Sequence, residues 1–380
     1  MNASIPSLCG RCRPALRQAA ILSRRYASTA PKSAPSPKNR WIGIAIVTVA
    51  AGGTGAYLRS QGPGSVTLNQ ETFTKYSLVS REPVSSTSSL FTLRPRYHSD
   101  HSYDVYEDAW KTGVWSVMFK QPQLQIGRDY TPLPVTAATP LTVDEENEGY
   151  LRFFIRKDPF GEVSRYLHSL AIGADIEMRG PQIECAIPEE TQEILFIAGG
   201  TGIAPALQAG YSLLNRTTEA NRPRIHILWA SRLKEDCLGG KGDTPLATSS
   251  QRSWFSGWFG SSGNTGQGSQ VAIPQDKEKS LIVRELDGLK SQYPGQITVD
   301  YYLDEENRFI SKKNISDYIE SMPRSPADPR GRKLILVSGP EGFISYMAGP
   351  KLWADGRELQ GPLRGIIKEL DLKGWAVWKL

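Results

Sequence analysis

From Phe73 onward, short apolar runs alternate with turn residues at close spacing. The runs at residues 89–94, 114–119 and 150–155 are rich in aromatic and branched side chains and too short for helices, so they predict strands of an antiparallel barrel. The pattern extends to about Pro188, and one helix is expected within it at residues 165–170. Beyond Pro188 the pattern changes. Apolar strands at 194–198, 224–230, 297–303 and 333–338, separated by stretches of helical length, predict an open parallel sheet covered by helices. Two domains follow, at 70–188 and 189–380. Residues 239–280 interrupt the second; they are rich in Gly, Ser, Gln and Thr and have no apolar period, so they predict a low-complexity insert. Four aromatics stand out in it, Trp254, Phe255, Trp258 and Phe259, as a docking site for a partner or membrane or as a cluster packed back on the domain.

The other long apolar run, at residues 41–58, carries no charge, and at about 1.5 Å per residue it predicts a single transmembrane helix. Its glycines weaken that reading, but no neighbouring pattern offers a core to bury it. Charge explains what precedes it. The formal charge of +6 comes from the N-terminus, where Arg11, Arg13, Arg17, Arg24, Arg25 and Lys32 appear long before the first acidic residue, Glu71. The remaining chain is slightly acidic and has no basic stripe, which excludes a nucleic acid partner. An acid-free, Arg-bearing leader predicts a mitochondrial transit peptide over residues 1–26, cut after Tyr26. Lys32, Lys38 and Arg40 before the span, against Arg59 after it, place the body in the intermembrane space on the inner membrane. Cys9 and Cys12 are too few for a zinc site and fall within the leader, so no metal is expected; Cys185 and Cys237 do not make a disulfide framework.

Candidate chemistry begins where the strand at 194–198 runs into Gly199, Gly200, Thr201 and Gly202 and then a helix toward Leu214. Glycines allow close backbone approach and the first helical N–H groups face outward, which suits a phosphate. Arg128, Tyr130, Thr131 and Pro132 form a second group, with Arg128 and Tyr130 on one face of a strand. Gly161, Glu162, Val163 and Ser164, opening the barrel helix, form a third. In this order and spacing the three motifs resemble the ferredoxin-NADP reductase superfamily, which includes the cytochrome b5 reductases. The resemblance runs from Phe73 to the C-terminus apart from the insert.

The resemblance implies a six-stranded antiparallel FAD-binding barrel followed by an α/β Rossmann-like nicotinamide-binding domain. It gives Arg128 and Gly161 to Ser164 the FAD pyrophosphate, with the Ser164 hydroxyl capping the helix. Tyr130 would lie along the flavin and Thr131 near its N5, while Pro132 ends the strand. Asp129, where the family often has proline, should point away from the phosphates. Gly180 and Pro181 match the end of the barrel. Ser338, Gly339 and Pro340 stand where the family has Cys-Gly-Pro against the nicotinamide, so Thr131 and Ser338 are the catalytic candidates. Ser231 and Arg232 follow the second parallel strand and suit the 2′-phosphate of NADPH; Asp236 on the 2′-hydroxyl of NADH is the competing reading. Trp375 or Trp378 stands near the end of the chain, where the family has a flavin-shielding aromatic, and either could serve instead in core packing. With the leader and span, the chain resembles a narrow group of fungal mitochondrial flavoproteins implicated in haem attachment to apocytochrome c. That implies an NAD(P)H reductase delivering electrons to haem or a haem-handling partner such as haem lyase. A cytochrome b5 reductase, or an assembly factor with a structural flavin, remains open.

Overall fold

The computed structural model describes residues 68–96, 102–139, 149–219, 221–244, 279–321, 332–354 and 356–380. The leader at 1–26, the run at 41–58 and the aromatics at 254–259 lie outside these residues. Among the described residues no helix is long and apolar enough to cross a membrane.

The first half folds as strands β1 (Thr74–Pro83), β2 (Ser88–Pro95), β3 (Gly113–Gln121), β4 (Ile126–Tyr130), β5 (Pro132–Leu133), β6 (Leu151–Arg156) and β7 (Asp175–Ala186), with helices α1 (Ser102–Thr112) and α2 (Glu162–Ser169). The strands form one antiparallel sheet in the order β4-β3-β7-β1-β2-β6-β5. Its two outer members are consecutive in the chain, with Thr131 alone between them, so the sheet closes on itself and Thr131 lies at the seam. With β4 and β5 counted as one strand crossing the seam, the barrel has six. Alternation in β1 and β7 turns Tyr76, Leu78, Ile176 and Met178 inward, where they meet Trp115, Phe119 and Phe153. Val163 and Leu167 of α2 pack onto the same core. Burial of each such side chain contributes about 1.5 to 3 kcal/mol.

Two expectations for this half change. Helix α1 joins α2, so the barrel carries two helices among the described residues. Tyr106, Ala109 and Trp110 recur at helical spacing on one face, while the polar residues around them hide the pattern in the sequence. Gly180 and Pro181 do not end the barrel; β7 runs through them to Ala186. They fall where β7 leaves β1 and continues against β3, and the register shift between Ser116 and Met118 accommodates a residue with no N–H to donate.

The second half contains β8 (Glu193–Gly199), α3 (Ile203–Leu214), β9 (Arg224–Ser231), α4 (Leu281–Gln292), β10 (Ile297–Leu303), α5 (Lys312–Ser321), β11 (Lys333–Ser338), α6 (Glu341–Ala348), the hairpin β12 (Leu352–Ala354) and β13 (Arg357–Leu359), the short α7 (Gly365–Lys368) and β14 (Trp375–Lys379). The parallel sheet has the order β10-β9-β8-β11-β14. Central β8 is buried along its whole length, as a strand covered on both faces must be. Leu207, Leu213, Leu286 and Leu289 from α3 and α4 cover one face; Ile315, Ile344, Met347 and Ile367 cover the other. Strand β14 was not legible: five residues with alternate positions exposed form an edge, with little apolar signal. The insert is also shorter than its composition suggests. Asp243 N donates to Val299 O at 3.0 Å and Thr244 N to Asp300 Oδ1 at 3.0 Å, so residues 239–244 run along β10, and Ser280 caps α4 by accepting from Val283 N at 3.2 Å.

Barrel and sheet share a core in which Leu90, Val114, Leu133 and Phe154 join the side chains of β8 and α3. Buried Gln208 of α3 accepts from Trp115 N at 2.8 Å and donates to Pro132 O at 3.1 Å. Glu285 of α4 accepts from Arg152 at 2.6 Å, Thr136 at 2.6 Å and Thr139 at 2.9 Å.

Candidate cofactor cleft

Strand order in the parallel sheet reverses between β8 and β11, and there the loops after the two strands diverge and leave a crevice. A cleft of about 240 Å³ occupies this position and also reaches the barrel seam. Tyr130 and Thr131 line it from the barrel, and Thr201, Gly202, Ser338 and Gly339 from the sheet. Both catalytic candidates therefore face one space.

The glycines divide by cause. A Cβ on Gly202 would stand 2.4 Å from Ser338 O, and one on Gly199 would stand 2.7 Å from the Phe343 ring, so these two let the turn pack against β11 and α6. Gly200 has φ +56° and meets nothing nearer than Arg156 Nη1 at 3.7 Å, leaving its outer side open. Trp229 Nε1 donates to Gly200 O at 3.0 Å and holds the turn from behind.

Arg128 is exposed at the surface of β4, donates to Gly127 O at 2.9 Å and has no carboxylate partner among the described residues. Tyr130 packs edge-on against Phe119 at 5.1 Å, and burial pushes its phenol up to about 12, which keeps it a protonated donor. Helix α2 packs against β4. Gly161 is its N-cap with no side-chain cap bond, leaving first-turn N–H groups to point outward. Ser164 is buried inside the helix, where its Oγ accepts from Asp158 N at 3.1 Å and donates to Gly161 O at 3.1 Å. It braces the turn and does not cap the helix. Val163 points into the barrel core and Glu162 is exposed. An unpaired guanidinium, free helical amides and a ring beside a cleft fit a diphosphate attached to a flat heterocycle. With Asp158 and Glu162 at the turn, positive charge comes from Arg128.

Several placements differ from expectation. Asp129 lines the cleft beside Tyr130 and does not stand clear of it. Burial, and then Glu184, raise its pKa, with Glu358 adding to this and Arg179 and Arg128 opposing. Ser231 is buried, with its Oγ within 3.1 Å of both Leu233 O and Asp236 Oδ2. Asp236 is buried too; it pairs with Arg156 at 3.0 Å and accepts from Ser85 at 2.7 Å. Neither group is free to read a ribose, whereas Arg232 is exposed and without a partner among the described residues. Of the candidate residues, Arg128, Pro132, Gly161 to Ser164, Gly199, Gly200, Ser231, Arg232 and Pro340 do not line the cleft. Trp375 packs on the outer core near Tyr318, and Trp378 donates to Glu184 O at 3.0 Å. Leu380 reaches the cleft, as do Phe154, Glu184, Lys351 and Glu358. Sequence reading missed all of these. Phe154 alone left a signal, as an apolar residue of β6 beside the strand-end Arg156.

An oxidoreductase FAD-binding domain family matches residues 116–187. An FAD-binding protein of Schizosaccharomyces pombe is 33% identical over 348 residues, covering 90% of this chain and 97% of that protein. NADH-cytochrome b5 reductase 2 of Botryotinia fuckeliana is 24% identical over 69% of this chain, and the cytochrome c mitochondrial import factor of Saccharomyces cerevisiae is 30% identical over 43% of it. Those matches span 60% and 46% of the two relatives' own lengths. FAD and a nicotinamide dinucleotide are the cofactors these similarities imply. The chain belongs to the ferredoxin-NADP reductase superfamily of FAD-binding oxidoreductases.

Proposed function

We propose that this FAD-dependent oxidoreductase takes electrons from NAD(P)H and passes them singly to ferric haem during cytochrome c maturation, held on the mitochondrial inner membrane with its body in the intermembrane space. The observation that carries the reductase reading is the single cleft shared by Thr131 and Ser338. The N-terminal charge pattern and the similarity to the yeast import factor support the compartment and the haem acceptor.

Bound FAD supplies the conversion of a two-electron hydride into single electrons. Arg128 would compensate the diphosphate of FAD, and the amides at Gly161 to Ser164 would hold its oxygens. Tyr130 would hold the ring of the flavin, the Thr131 hydroxyl would donate to it at the seam, and Ser338 with Gly339 would hold the nicotinamide. Phe154 and Leu380 exclude water from the cleft. Arg232, the one unengaged group of its set, selects a 2′-phosphate and hence NADPH.

Anaerobic stopped-flow mixing tests the reading. NADPH should bleach the flavin absorbance faster than NADH, and ferric haem peptide should restore it. Absence of bleaching with either nucleotide removes the enzyme reading and leaves an assembly factor. The second reading, a cytochrome b5 reductase, is favoured by the Botryotinia relative; restoration by cytochrome b5 far faster than by haem peptide, with NADH preferred, would establish it. For the compartment, protease added to mitochondria with ruptured outer membranes should digest the body. Protection until the inner membrane is dissolved reverses the orientation.

A further inference from the structure

Strands β12 and β13 form a ribbon that belongs to neither large sheet. A two-stranded ribbon is marginally stable in water by itself, and this one is clamped at its base. Gln360 accepts from Lys379 N at 2.7 Å and donates to Lys379 O at 2.9 Å, and Lys379 Nζ donates to Pro350 O at 3.0 Å. Lys379 ends β14, and Leu380 after it reaches the cofactor cleft, so the ribbon is fixed beside that cleft. Register gives its faces a direction. Trp353 stands opposite Glu358, and directly opposed residues share a face; Lys351, two positions before Trp353, lies on that face too. Lys351 and Glu358 line the cleft and pair with each other at 2.9 Å. Trp353 therefore continues this wall of the cleft outward by two residues, about 7 Å.

The other face of the ribbon carries Leu352 opposite Leu359, and these two are half-buried. Trp353 is 75% exposed, and its side chain has no hydrogen-bond or ring partner among the described residues. An indole held out at the rim of a cleft by a clamped ribbon marks a contact with another molecule. Lys351 and Glu358 at the base of the ribbon already neutralise each other, so the contact next to them suits a flat apolar surface better than a charged one. We propose that Trp353 is the docking platform for the electron acceptor, with its ring against the exposed edge of a haem. This rests on the reading given above, in which ferric haem is the acceptor and electrons leave through this cleft. One NADPH reduces two ferric haems to the ferrous state and releases one proton, and the two haems dock in turn at the same rim.

The test uses the full-length, FAD-loaded protein with a ferric haem peptide as probe. Calorimetry on the oxidised protein should show saturable binding at one site. Trp353→Ser should weaken it about tenfold, and Trp353→Phe, which keeps a flat ring, by about twofold at most. In stopped flow both variants should keep the wild-type FAD content, bleaching by NADPH and reoxidation by ferricyanide, a small anion with no ring to stack. Reoxidation by subsaturating haem peptide should slow about tenfold in Trp353→Ser alone. The proposal is overturned by equal haem-peptide affinity in wild type and Trp353→Ser, or by an equal loss of ferricyanide reoxidation. Weakened binding of the variant to phosphatidylcholine vesicles with unchanged haem-peptide affinity would also overturn it, assigning the ring to a membrane surface. A wild-type protein bleached by NADPH and reoxidised by ferricyanide but inert to haem peptide removes the haem acceptor, and the platform with it. Absence of bleaching removes the reductase reading instead, and the calorimetric comparison then decides the platform alone.

Discussion

Among the described residues Arg128 has no carboxylate partner to lose: its one hydrogen bond is to the neighbouring Gly127 carbonyl. Replacing it with alanine should leave the thermal midpoint nearly unchanged and weaken FAD binding by about ten- to a hundredfold, the equivalent of about 1.5 to 3 kcal/mol for charge-assisted bonds. Flavin absorbance of the purified protein, titrated with FAD, reads this directly; a variant as yellow as wild type would show that the diphosphate lies elsewhere. Arg232 offers a sharper discrimination. With Ser231 and Asp236 tied into the Arg156 network, Arg232→Ala should raise KM for NADPH about tenfold and leave NADH unchanged. Equal changes for the two nucleotides would mean that Arg232 does not touch the 2′ position.

Strand β9 carries a titratable group that the cleft does not use. His226 is buried, with Nδ1 at 2.6 Å from Thr298 Oγ1, Nε2 at 3.6 Å from Asp300 Oδ2, and its ring stacked on Tyr318 at 4.4 Å. Burial lowers its pKa below 6.5, with Asp300 and Asp243 opposing. In the window between the folded value and 6.5 the unfolded chain therefore binds more protons than the native one. Stability should fall as pH drops through 6.5 and level off below the folded value. His226→Gln should flatten the slope of the thermal midpoint between about pH 7.5 and 5.5. A variant with the wild-type slope would assign that dependence to other groups. The element scale also explains what the sequence concealed. Among the described side chains of helix α1, Tyr106 and Ala109 are buried, and β14 is an edge strand, so neither needs the apolar density that marks a central element.

For the molecule as a whole, the cleft exists because barrel and sheet are locked together, and the lock includes a buried charge. Arg152 and Glu285 are nearly inaccessible, and Nε and Nη1 of Arg152 have no partner among the described residues. Burial lowers the Arg152 pKa even against the pull of Glu285. Glu285→Ala should cost about 3 to 5 kcal/mol, since it strands the guanidinium, whereas Arg152→Met with Glu285→Leu should recover most of that loss. Urea unfolding by tryptophan fluorescence measures both. A mild single mutant, or a double mutant no better than it, would contradict the assignment of the pair as the lock.

Local chemistry made part of this protein readable from its chain. A short apolar run bounded by turn residues, such as β8, reads as a buried strand from its own neighbourhood, and Gly200 is called for by its φ of +56°, whereas Gly199 and Gly202 answer to Phe343 and Ser338. Hydrophobic period, glycine turns and motif order depend on neighbours in sequence, so they announced the antiparallel and parallel halves and placed Thr131 and Ser338 at strand ends. Tertiary contact decided the rest. Whether Ser231 or Asp236 is available to a ligand depends on Arg156 and Ser85, which come from the other half of the chain. Leu380 enters the cleft only because β14 joins β11. Pairings between residues far apart in the chain leave no period in a single sequence, so the availability of a polar group was settled only when the chain closed on itself.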